Sequence, residues 1–267
     1  MLSYQHIYHA GNMADLHKHT LLAAMLGYMT TKDKPLSYIE THAGRGLYDL
    51  TAPEAVKTGE AAAGVLRLAE RLEADHPYRR VLAGVRDRYG AGAYPGSPLI
   101  AAGMVRPGDR ITLAELHPRE FAALSATMAP YGASCRQEDG LHLALAATPP
   151  DPRRGLMLID PSYEVKADYA VLPPLIRKVH AKWNVGVIAL WYPILATGAH
   201  HPMVAALQAA GFPKAVASEV RFPPAREGHG MTGSGMFILN APYGTESEAA
   251  RIADLFAGLS YGISGLH

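Results

Sequence analysis

Short apolar runs that each end in a polar residue alternate along the chain with longer segments, rich in Ala and Leu, that repeat with a helical period. This alternation is typical of βαβ units around a parallel sheet. The predicted strands are Leu36–Glu40, Arg110–Glu115, Cys135–Glu138, Gly155–Asp160, Val185–Trp191, Ala215–Arg221 and Gly235–Asn240. Seven strands separated by helices indicate a doubly wound α/β fold.

The first helix is predicted to begin between Asn12 and Asp15 and to end at the turn formed by residues 30–35. A second helical region, residues 49–92, is rich in Ala, Leu, Arg and Glu, and we expect two or three helices there. This region separates the first strand from the second. The pattern therefore predicts one domain made of residues 1–48 and 93–267, interrupted by a helical insertion at residues 49–92.

The composition narrows the function classes only slightly. Of the 267 residues, 49% are hydrophobic, which suffices for a substantial core. The net charge of +1 gives no electrostatic argument for a nucleic-acid partner. No apolar run approaches the ~20 residues that span a bilayer, and the first residues lack the pattern of a secretion signal, so we expect a soluble, cytoplasmic protein. The single cysteine, Cys135, excludes an internal disulfide and a Cys-based zinc site.

A glycine-containing loop follows the first predicted strand. Residues 40–46 read Glu-Thr-His-Ala-Gly-Arg-Gly, with an acidic residue at the strand end. Because Gly44 has no Cβ, backbone N–H groups in this loop can approach a ligand closely. The pattern is similar to the first motif of class I methyltransferases, where the loop holds S-adenosylmethionine. A tight turn with two structural glycines is the alternative for so short a pattern.

Two further strand ends carry acidic residues. Glu115 ends the second predicted strand, where its two oxygens could accept hydrogen bonds from both ribose hydroxyls of a nucleoside. Asp139, followed by Gly140, closes the third strand. In related methyltransferases an acidic residue there accepts a hydrogen bond from the adenine amine of the cofactor. A surface strand end and an Asp-Gly turn are the respective alternatives.

The fourth predicted strand runs directly into Asp160-Pro161-Ser162-Tyr163, which resembles the Asp-Pro-Pro-Tyr motif of amino-group methyltransferases, with Ser162 in place of the second proline. The lone pair of the adenine N6 amine is delocalised into the ring, so a site that alkylates it must accept hydrogen bonds from that amine. Asp160 and the Pro161 carbonyl fit this role. Tyr163 is predicted to stack on the target base. An ordinary Asp-Pro turn is the alternative.

Over nearly its whole length the chain is similar to the bacterial 23S ribosomal RNA adenine-N6 methyltransferases of the RlmJ type. The segments that carry the resemblance are MLSYxHxxHAGNxADxxKH at the start, ETHAGRGLYDL from Glu40, TGE from Thr58, YPGSPLIA from Tyr94, ELHP from Glu115, IDPSYE from Ile159, LWYP from Leu190 and GMTGSGM from Gly230. The resemblance implies a Rossmann-like class I S-adenosylmethionine-dependent methyltransferase fold, with a seven-stranded, mostly parallel sheet. Residues 1–48 and 93–267 would form the methyltransferase domain and residues 49–92 a helical subdomain.

The resemblance also implies roles for individual residues. It places cofactor contacts on His19, His42, Ser97, Glu115, Asp139 and Gly140, with Lys18 near the cofactor carboxylate, and these join Gly44 and Asp160 in the predicted cofactor site. Asp160 is the implied catalytic residue. Tyr4 and His6, on an N-terminal segment that closes over the pocket, would contact the target RNA together with Pro161 and Tyr163.

Several histidines, among them His6, His9, His17 and His19, crowd the first twenty residues. A metal site is one interpretation, but no carboxylate or Cys cluster in the sequence completes a ligand set, so we predict no metal. A cap over cofactor and substrate is the interpretation that the resemblance favours.

The predicted function is therefore transfer of a methyl group from S-adenosylmethionine to N6 of a specific adenosine in 23S ribosomal RNA, which yields S-adenosylhomocysteine. We expect a monomer that acts on protein-free or early-assembly RNA and has no membrane partner. Two alternatives stay open. One is a DNA adenine-N6 methyltransferase, because such motifs are shared by DNA and RNA enzymes. The other is a non-catalytic, cofactor-binding ribosome assembly protein that lost turnover through Ser162.

Overall fold

A computed structural model describes residues 5–224 and 230–260. Its strands are β1 (Ser37–Glu40), β2 (Leu47–Asp49), β3 (Ala93–Pro95), β4 (Arg110–Ala114), β5 (Ser134–Arg136), β6 (Gly155–Ile159), β7 (Val187–Leu195), β8 (Val216–Arg221) and β9 (Met231–Leu239). Its helices are α1 (Met13–Met29), α2 (Pro53–Thr58), α3 (Glu60–Ala63), α4 (Val65–Leu68), α5 (Pro77–Tyr89), α6 (Ser97–Ala102), α7 (Pro118–Met128), α8 (Gly140–Ala146), α9 (Asp168–Lys182), α10 (His201–Ala209) and α11 (Thr245–Ser260).

Seven strands form one sheet in the order β5-β4-β1-β6-β7-β9-β8. Strand β1 pairs parallel with both β4 and β6, and β9 runs antiparallel to β7 and β8. All residues of β1 and β6 are buried, because helices cover both faces of the sheet. The predicted doubly wound α/β fold is confirmed. Strands β4 and β5 lie on one side of β1, whereas β6 and β7, which follow them in the chain, lie on its other side. Such a switch point opens a crevice at the carboxyl ends of the strands.

Strands β7 and β9 extend beyond their predicted ends. They pair from Ile188 opposite Leu239 to Leu195 opposite Met231. The sequence pattern does not reveal this extension, because Pro193 and the glycines of β9 are atypical of strands. The extra length brings the end of β7 and the start of β9 to the edge of the crevice.

Helix α1 begins and ends where the sequence predicts. The Asn12 side chain accepts a hydrogen bond from the Asp15 backbone N–H at 2.8 Å and so caps the helix. The helix packs against α5, α11 and β9, so even its polar residues His17, Lys18 and His19 are buried. Buried polar groups need partners, and those of α1 find them in distant parts of the chain.

The region between β2 and β3 is helical but more broken than predicted. It holds four helices rather than two or three: α2, α3 and α4 are short, and α5 has 13 residues. Gly59 adopts a φ of +67° between α2 and α3, and Gly64 separates α3 from α4. A Cβ on Gly64 would lie 2.3 Å from the Gly11 carbonyl oxygen, so the close approach of residues 11–12 requires glycine there. The division of the chain into a domain of residues 1–48 and 93–267 and a helical insertion at residues 49–92 stays a prediction.

None of the helices in the described ranges combines the length and the apolar character needed to cross a bilayer.

Candidate active site

A cavity of about 600 Å³ lies at the carboxyl ends of β1, β4 and β6. Twelve of the predicted site residues line it: His6, Lys18, His19, His42, Gly44, Ser97, Glu115, Asp139, Gly140, Asp160, Pro161 and Tyr163. The remaining one, Tyr4, lies outside the described residues. The cavity has two sides. We call His42, Gly44, Glu115, Asp139 and Gly140 the loop wall, and Pro161, Tyr163, Trp191, Pro193 and Met231 the aromatic wall.

Backbone contacts organise the loop wall. The two carboxylate oxygens of Glu115 accept hydrogen bonds from the backbone N–H groups of Gly44 and His117, each at 2.8 Å. Burial raises the pKa of Glu115. Gly44 has a φ of +60°, and a Cβ there would lie 2.5 Å from the Tyr48 hydroxyl. The glycine loop is therefore fastened to the end of β4, as a ligand-binding loop requires.

Asp139 and Gly140 complete the loop wall, but at a helix start rather than at a strand end. Strand β5 ends at Arg136, and the Asp139 side chain caps α8 by accepting a hydrogen bond from the His142 N–H at 2.9 Å. A Cβ on Gly140 would lie 1.9 Å from the Thr41 carbonyl oxygen. Only glycine lets α8 begin so close to the end of β1.

Behind the loop wall lies a carboxyl group that the sequence places merely at a strand end. Glu40 is fully buried and accepts hydrogen bonds from the Ser97 hydroxyl and from the Tyr38 hydroxyl, the latter at 2.8 Å. Burial raises the pKa of Glu40 to about 8. The Ser97 hydroxyl, a predicted cofactor contact, is thus oriented by Glu40.

Asp160 forms an ion pair with Lys18 of α1. The Lys18 ammonium donates to Asp160 Oδ2 at 2.6 Å and lies 3.1 Å from Asp15 Oδ1. Burial alone would lower the pKa of Lys18, but the carboxylates of Asp160 and Asp15 raise it above its ordinary value. Lys18 therefore stays charged at the edge of the cavity and fixes the orientation of Asp160.

Asp15 joins this pair to the N-terminal segment, residues 5–12. Its Oδ2 lies 2.9 Å from His6 Nε2 and accepts a hydrogen bond from the Gly11 N–H at 2.9 Å. Burial would raise the pKa of Asp15, yet the neighbouring His6 and Lys18 hold it well below its usual range. Asp15 is not among the residues predicted for the site, although its position three residues before Lys18 on one helix is a usable signal.

The helical region holds the same N-terminal segment from the other side. Glu60 lies 3.0 Å from His9 Nδ1 and accepts a hydrogen bond from the Asn12 side-chain amide at 3.1 Å. The Thr58 hydroxyl donates to the Tyr8 carbonyl at 2.7 Å. These contacts keep residues 5–12 against the cavity, and nothing in the local sequence pattern around Glu60 indicates them.

The histidines divide into separate environments. His19 Nδ1 lies 2.9 Å from the Tyr94 hydroxyl, while its buried Nε2 makes no hydrogen bond and has Asp15 Oδ1 at 3.9 Å. Burial lowers the pKa of His19 to about 3, and burial also lowers the pKa of His42. Within residues 5–224 and 230–260, no group of three His, Cys, Asp or Glu side chains is placed to hold a metal ion.

Tyr163 occupies a different environment from the open stacking platform that the sequence suggests. Its φ is +55°, only 8% of it is exposed, and its ring packs 4.6 Å from that of Tyr169. Its hydroxyl donates to the Trp191 carbonyl at 2.8 Å. Trp191, which the sequence places at the end of a predicted strand and within a family signature, lines the cavity beside it.

Comparison with known proteins gives consistent matches. The family model described as "Ribosomal RNA large subunit methyltransferase D, RlmJ" matches residues 33–260. The Ribosomal RNA large subunit methyltransferase J of Escherichia coli is 37% identical over 252 residues, which cover 93% of this chain and 90% of that protein. The protein of the same name from Haemophilus influenzae is 35% identical over 257 residues, 94% of this chain and 92% of that protein.

One solved structure is similar throughout. The crystal structure of protein LPL1258 from Legionella pneumophila superposes with a TM-score of 0.83 at 35% sequence identity, covering 94% of each chain. The similarity in sequence and in structure therefore extends over the sheet, the helical region and the cavity together.

Proposed function

We propose, because this chain belongs to the RlmJ family of ribosomal RNA large subunit methyltransferases, that it transfers the methyl group of S-adenosylmethionine to N6 of a specific adenosine in 23S ribosomal RNA. The observation that carries the proposal is the position of Asp160. Its carboxylate lines the same cavity as the glycine loop, and its Oδ2 is held by Lys18 at 2.6 Å.

The loop wall fits the cofactor. An ionised carboxylate has about four acceptor sites, and Glu115 uses one on each oxygen for the loop, which leaves acceptor capacity for two ribose hydroxyls. The second oxygen of Asp139 is assigned to the adenine amine, and Gly44 and Gly140 line the cavity without a side chain. The buried Nε2 of His19, which lacks a hydrogen bond, is assigned to a polar group of the cofactor. Lys18, His42 and Ser97, which line the same cavity, are assigned to the cofactor as well.

When bound, S-adenosylmethionine supplies an electrophilic methyl group. The protein must prepare the nucleophile. Since Lys18 occupies Asp160 Oδ2, we assign Oδ1 to the N6 amine, with the Pro161 carbonyl as a second acceptor. Two hydrogen bonds from the amine draw its lone pair out of the ring, and the carboxylate then takes the proton that the alkylated nitrogen loses. We propose that His6, on the N-terminal segment, and Tyr4, which precedes that segment in sequence, contact the target nucleotide.

The substrate and setting follow from the same chemistry. A base must leave its stack to reach Asp160, so we propose protein-free 23S ribosomal RNA or an early assembly intermediate as substrate. We propose that the enzyme acts as a cytoplasmic monomer. We also propose that residues 49–92 form a subdomain of the enzyme, supported by the contacts of Glu60 and Thr58 with the N-terminal segment.

The test is transfer of labelled methyl from S-adenosylmethionine to protein-free 23S ribosomal RNA, followed by nucleoside analysis. Wild-type protein should place label in N6-methyladenosine, and Asp160→Ala should reduce the rate by ~10²- to 10⁴-fold, because the proton acceptor is gone. Asp151→Asn, an exposed carboxylate remote from the cavity lining, is the matched control. RNA and DNA hairpins of one sequence are compared in parallel. Label in another nucleoside, no label, or faster transfer to DNA would contradict the proposal.

A further inference from the structure

We infer that Trp191, rather than Tyr163, presents the aromatic face against which the target adenine lies during methyl transfer. The inference rests on the proposed function, and it changes which residue of the aromatic wall selects the substrate.

The position of Tyr163 argues against a stacking role for its ring. The centre of its ring lies 4.6 Å from that of Tyr169, and it lies 6.0 Å from that of Trp191 at an interplanar angle of 60°. Its hydroxyl is bound to the Trp191 carbonyl, so moving the ring would break a buried hydrogen bond. Tyr163 belongs to the apolar core beneath the cavity and supports the strand that carries Trp191.

Trp191 lies where a base must be held. It is partly exposed and lines the cavity, and the Lys18 ammonium lies 5.5 Å from the centre of its ring. The same ammonium donates to Asp160 Oδ2 at 2.6 Å, so the indole and the catalytic carboxylate are neighbours across one lysine. Pro193 and Met231 extend this apolar surface along β7 and β9. A flat, uncharged ring such as adenine fits such a surface.

The indole is fixed in orientation by a buried polar chain. Its Nε1–H donates to Ser234 Oγ at 2.9 Å, Ser234 Oγ lies 2.9 Å from His17 Nδ1, and His17 Nε2 lies 3.0 Å from Ser218 Oγ. Burial lowers the pKa of His17 to about 3, so the ring is neutral and has one donor and one acceptor. These hydrogen bonds are mutually consistent when the Ser234 hydroxyl donates to His17 Nδ1 and the His17 Nε2–H donates to Ser218 Oγ. Ser234 and His17 are thus positioning residues for Trp191.

This preorganisation has a functional consequence. An aromatic side chain held in one orientation loses little further freedom when a base stacks on it, so most of the stacking energy contributes to binding. Base stacking on an aromatic side chain is usually worth enough that its removal weakens binding roughly 5- to 150-fold. Because the indole N–H of Trp191 already donates to Ser234, a base would contact the face of the indole ring rather than its polar edge.

The first experiment separates substrate binding from cofactor binding. Trp191→Leu in the full chain should raise the KM for RNA roughly 5- to 150-fold, whereas the Kd for S-adenosylhomocysteine, measured by calorimetry, should stay within about twofold of wild type. Trp191→Phe, which retains a ring, should recover much of the loss. A wild-type KM in Trp191→Leu would overturn the inference, and so would an equal loss in Trp191→Phe.

The second experiment uses the presence of two tryptophans in the whole chain. Trp183 is fully buried, so in a Trp183→Phe background the emission reports Trp191 alone. An RNA hairpin with one unpaired adenosine, added with S-adenosylhomocysteine to prevent turnover, should quench that emission, and a hairpin with an abasic nucleotide there should not. If Trp183→Phe does not fold, the difference between wild type and Trp191→Phe gives the same signal. Equal emission with both hairpins at saturation would overturn the inference.

The positioning role has its own readout. Ser234→Ala should shift the Trp191 emission and raise the KM for RNA with little change in kcat, and Ser234→Thr should restore both. An unchanged emission would show that Ser234 does not orient Trp191.

Methyl transfer by the wild-type protein on the same RNA distinguishes failure of the proposed function from failure of this inference. If the wild-type protein transfers no methyl group, both are wrong. If it succeeds while Trp191→Leu behaves as wild type, only the inference falls.

Discussion

The loop wall and the aromatic wall of the cavity are built in different ways. The loop wall consists of residues that end a strand or begin a helix, and its main contacts are backbone hydrogen bonds such as Gly44 N–H to Glu115. On the aromatic wall, side chains from distant parts of the sequence meet, as when His17 and Trp191 both bind Ser234. The first wall depends on where strands end, and the second on how whole elements pack.

The two walls therefore differ in their tolerance to substitution. Groups on the loop wall are held by the sheet itself, so their geometry survives as long as β1 and β4 pair. The aromatic wall and Asp160 depend on single buried side chains of α1, the neutral His17 behind Trp191 and the charged Lys18 beside Asp160. Removal of one such charge leaves its partner uncompensated.

The largest effect is expected from breaking the link between α1 and the catalytic strand. Lys18→Met leaves the carboxylates of Asp15 and Asp160 close together without their shared cation, and breaking a buried ion pair typically costs about 3–5 kcal/mol. We expect the free energy of unfolding, measured in urea, to fall by that amount and methyl transfer to be lost. Lys57→Met, at an exposed position of α2, is the control. If Lys18→Met were as stable as the wild-type protein, the ion pair would contribute little to the free energy of unfolding.

A pH-dependent effect is expected behind the loop wall. The folded-state pKa of Glu40 is raised to about 8, so between pH ~4.5 and ~8 the folded state binds a proton that the unfolded state has released. This group therefore makes stability fall as pH rises through that window. Glu40→Gln, which keeps one donor and one acceptor for Tyr38 and Ser97, should remove the loss.

The measurement is the free energy of unfolding of both proteins at pH 5 and pH 8. The variant should gain at least ~1 kcal/mol over wild type on going to pH 8, since a pKa shift of one unit corresponds to ~1.4 kcal/mol. Glu70→Gln, exposed in the helical region, should show no such gain. Parallel pH dependence of wild type and Glu40→Gln would contradict the prediction.

The smallest effect is expected where the helical region holds the N-terminal segment. Glu60→Gln keeps the size of the side chain but replaces the carboxylate that contacts His9 and Asn12 with a neutral amide, which makes weaker hydrogen bonds. We expect faster amide hydrogen exchange in residues 6–12 and a KM for RNA raised several-fold. Affinity for S-adenosylhomocysteine should change little, with Glu70→Gln as the control again. An unchanged exchange rate would show that other contacts hold the segment.

The two walls also differ in how far they follow from the sequence. Gly44, Glu115 and Asp160 were selected because each follows an apolar run, and parallel strands bring their carboxyl ends to one edge of the sheet. The apolar pattern ends β7 at Trp191 and begins β9 at Gly235, whereas the strands extend to Leu195 and from Met231, because Pro193 and Gly233 are atypical of strands. The pattern therefore indicates a strand end at Trp191 and not a cavity position. Tyr163 was selected from a motif that does not reveal the contact with Tyr169.

The order of the elements, the seven-stranded sheet, the place of the glycine loop and the chemistry available at Asp160 follow from the amino-acid sequence alone. These features depend on the periodicity of apolar residues and on local turns, which neighbouring residues decide. Three contacts exist only in the folded chain: Lys18 with Asp160, Glu60 with the N-terminal segment, and Ser234 with Trp191. Each joins residues more than forty positions apart, and they come together through strand pairing and helix packing, which no local pattern encodes.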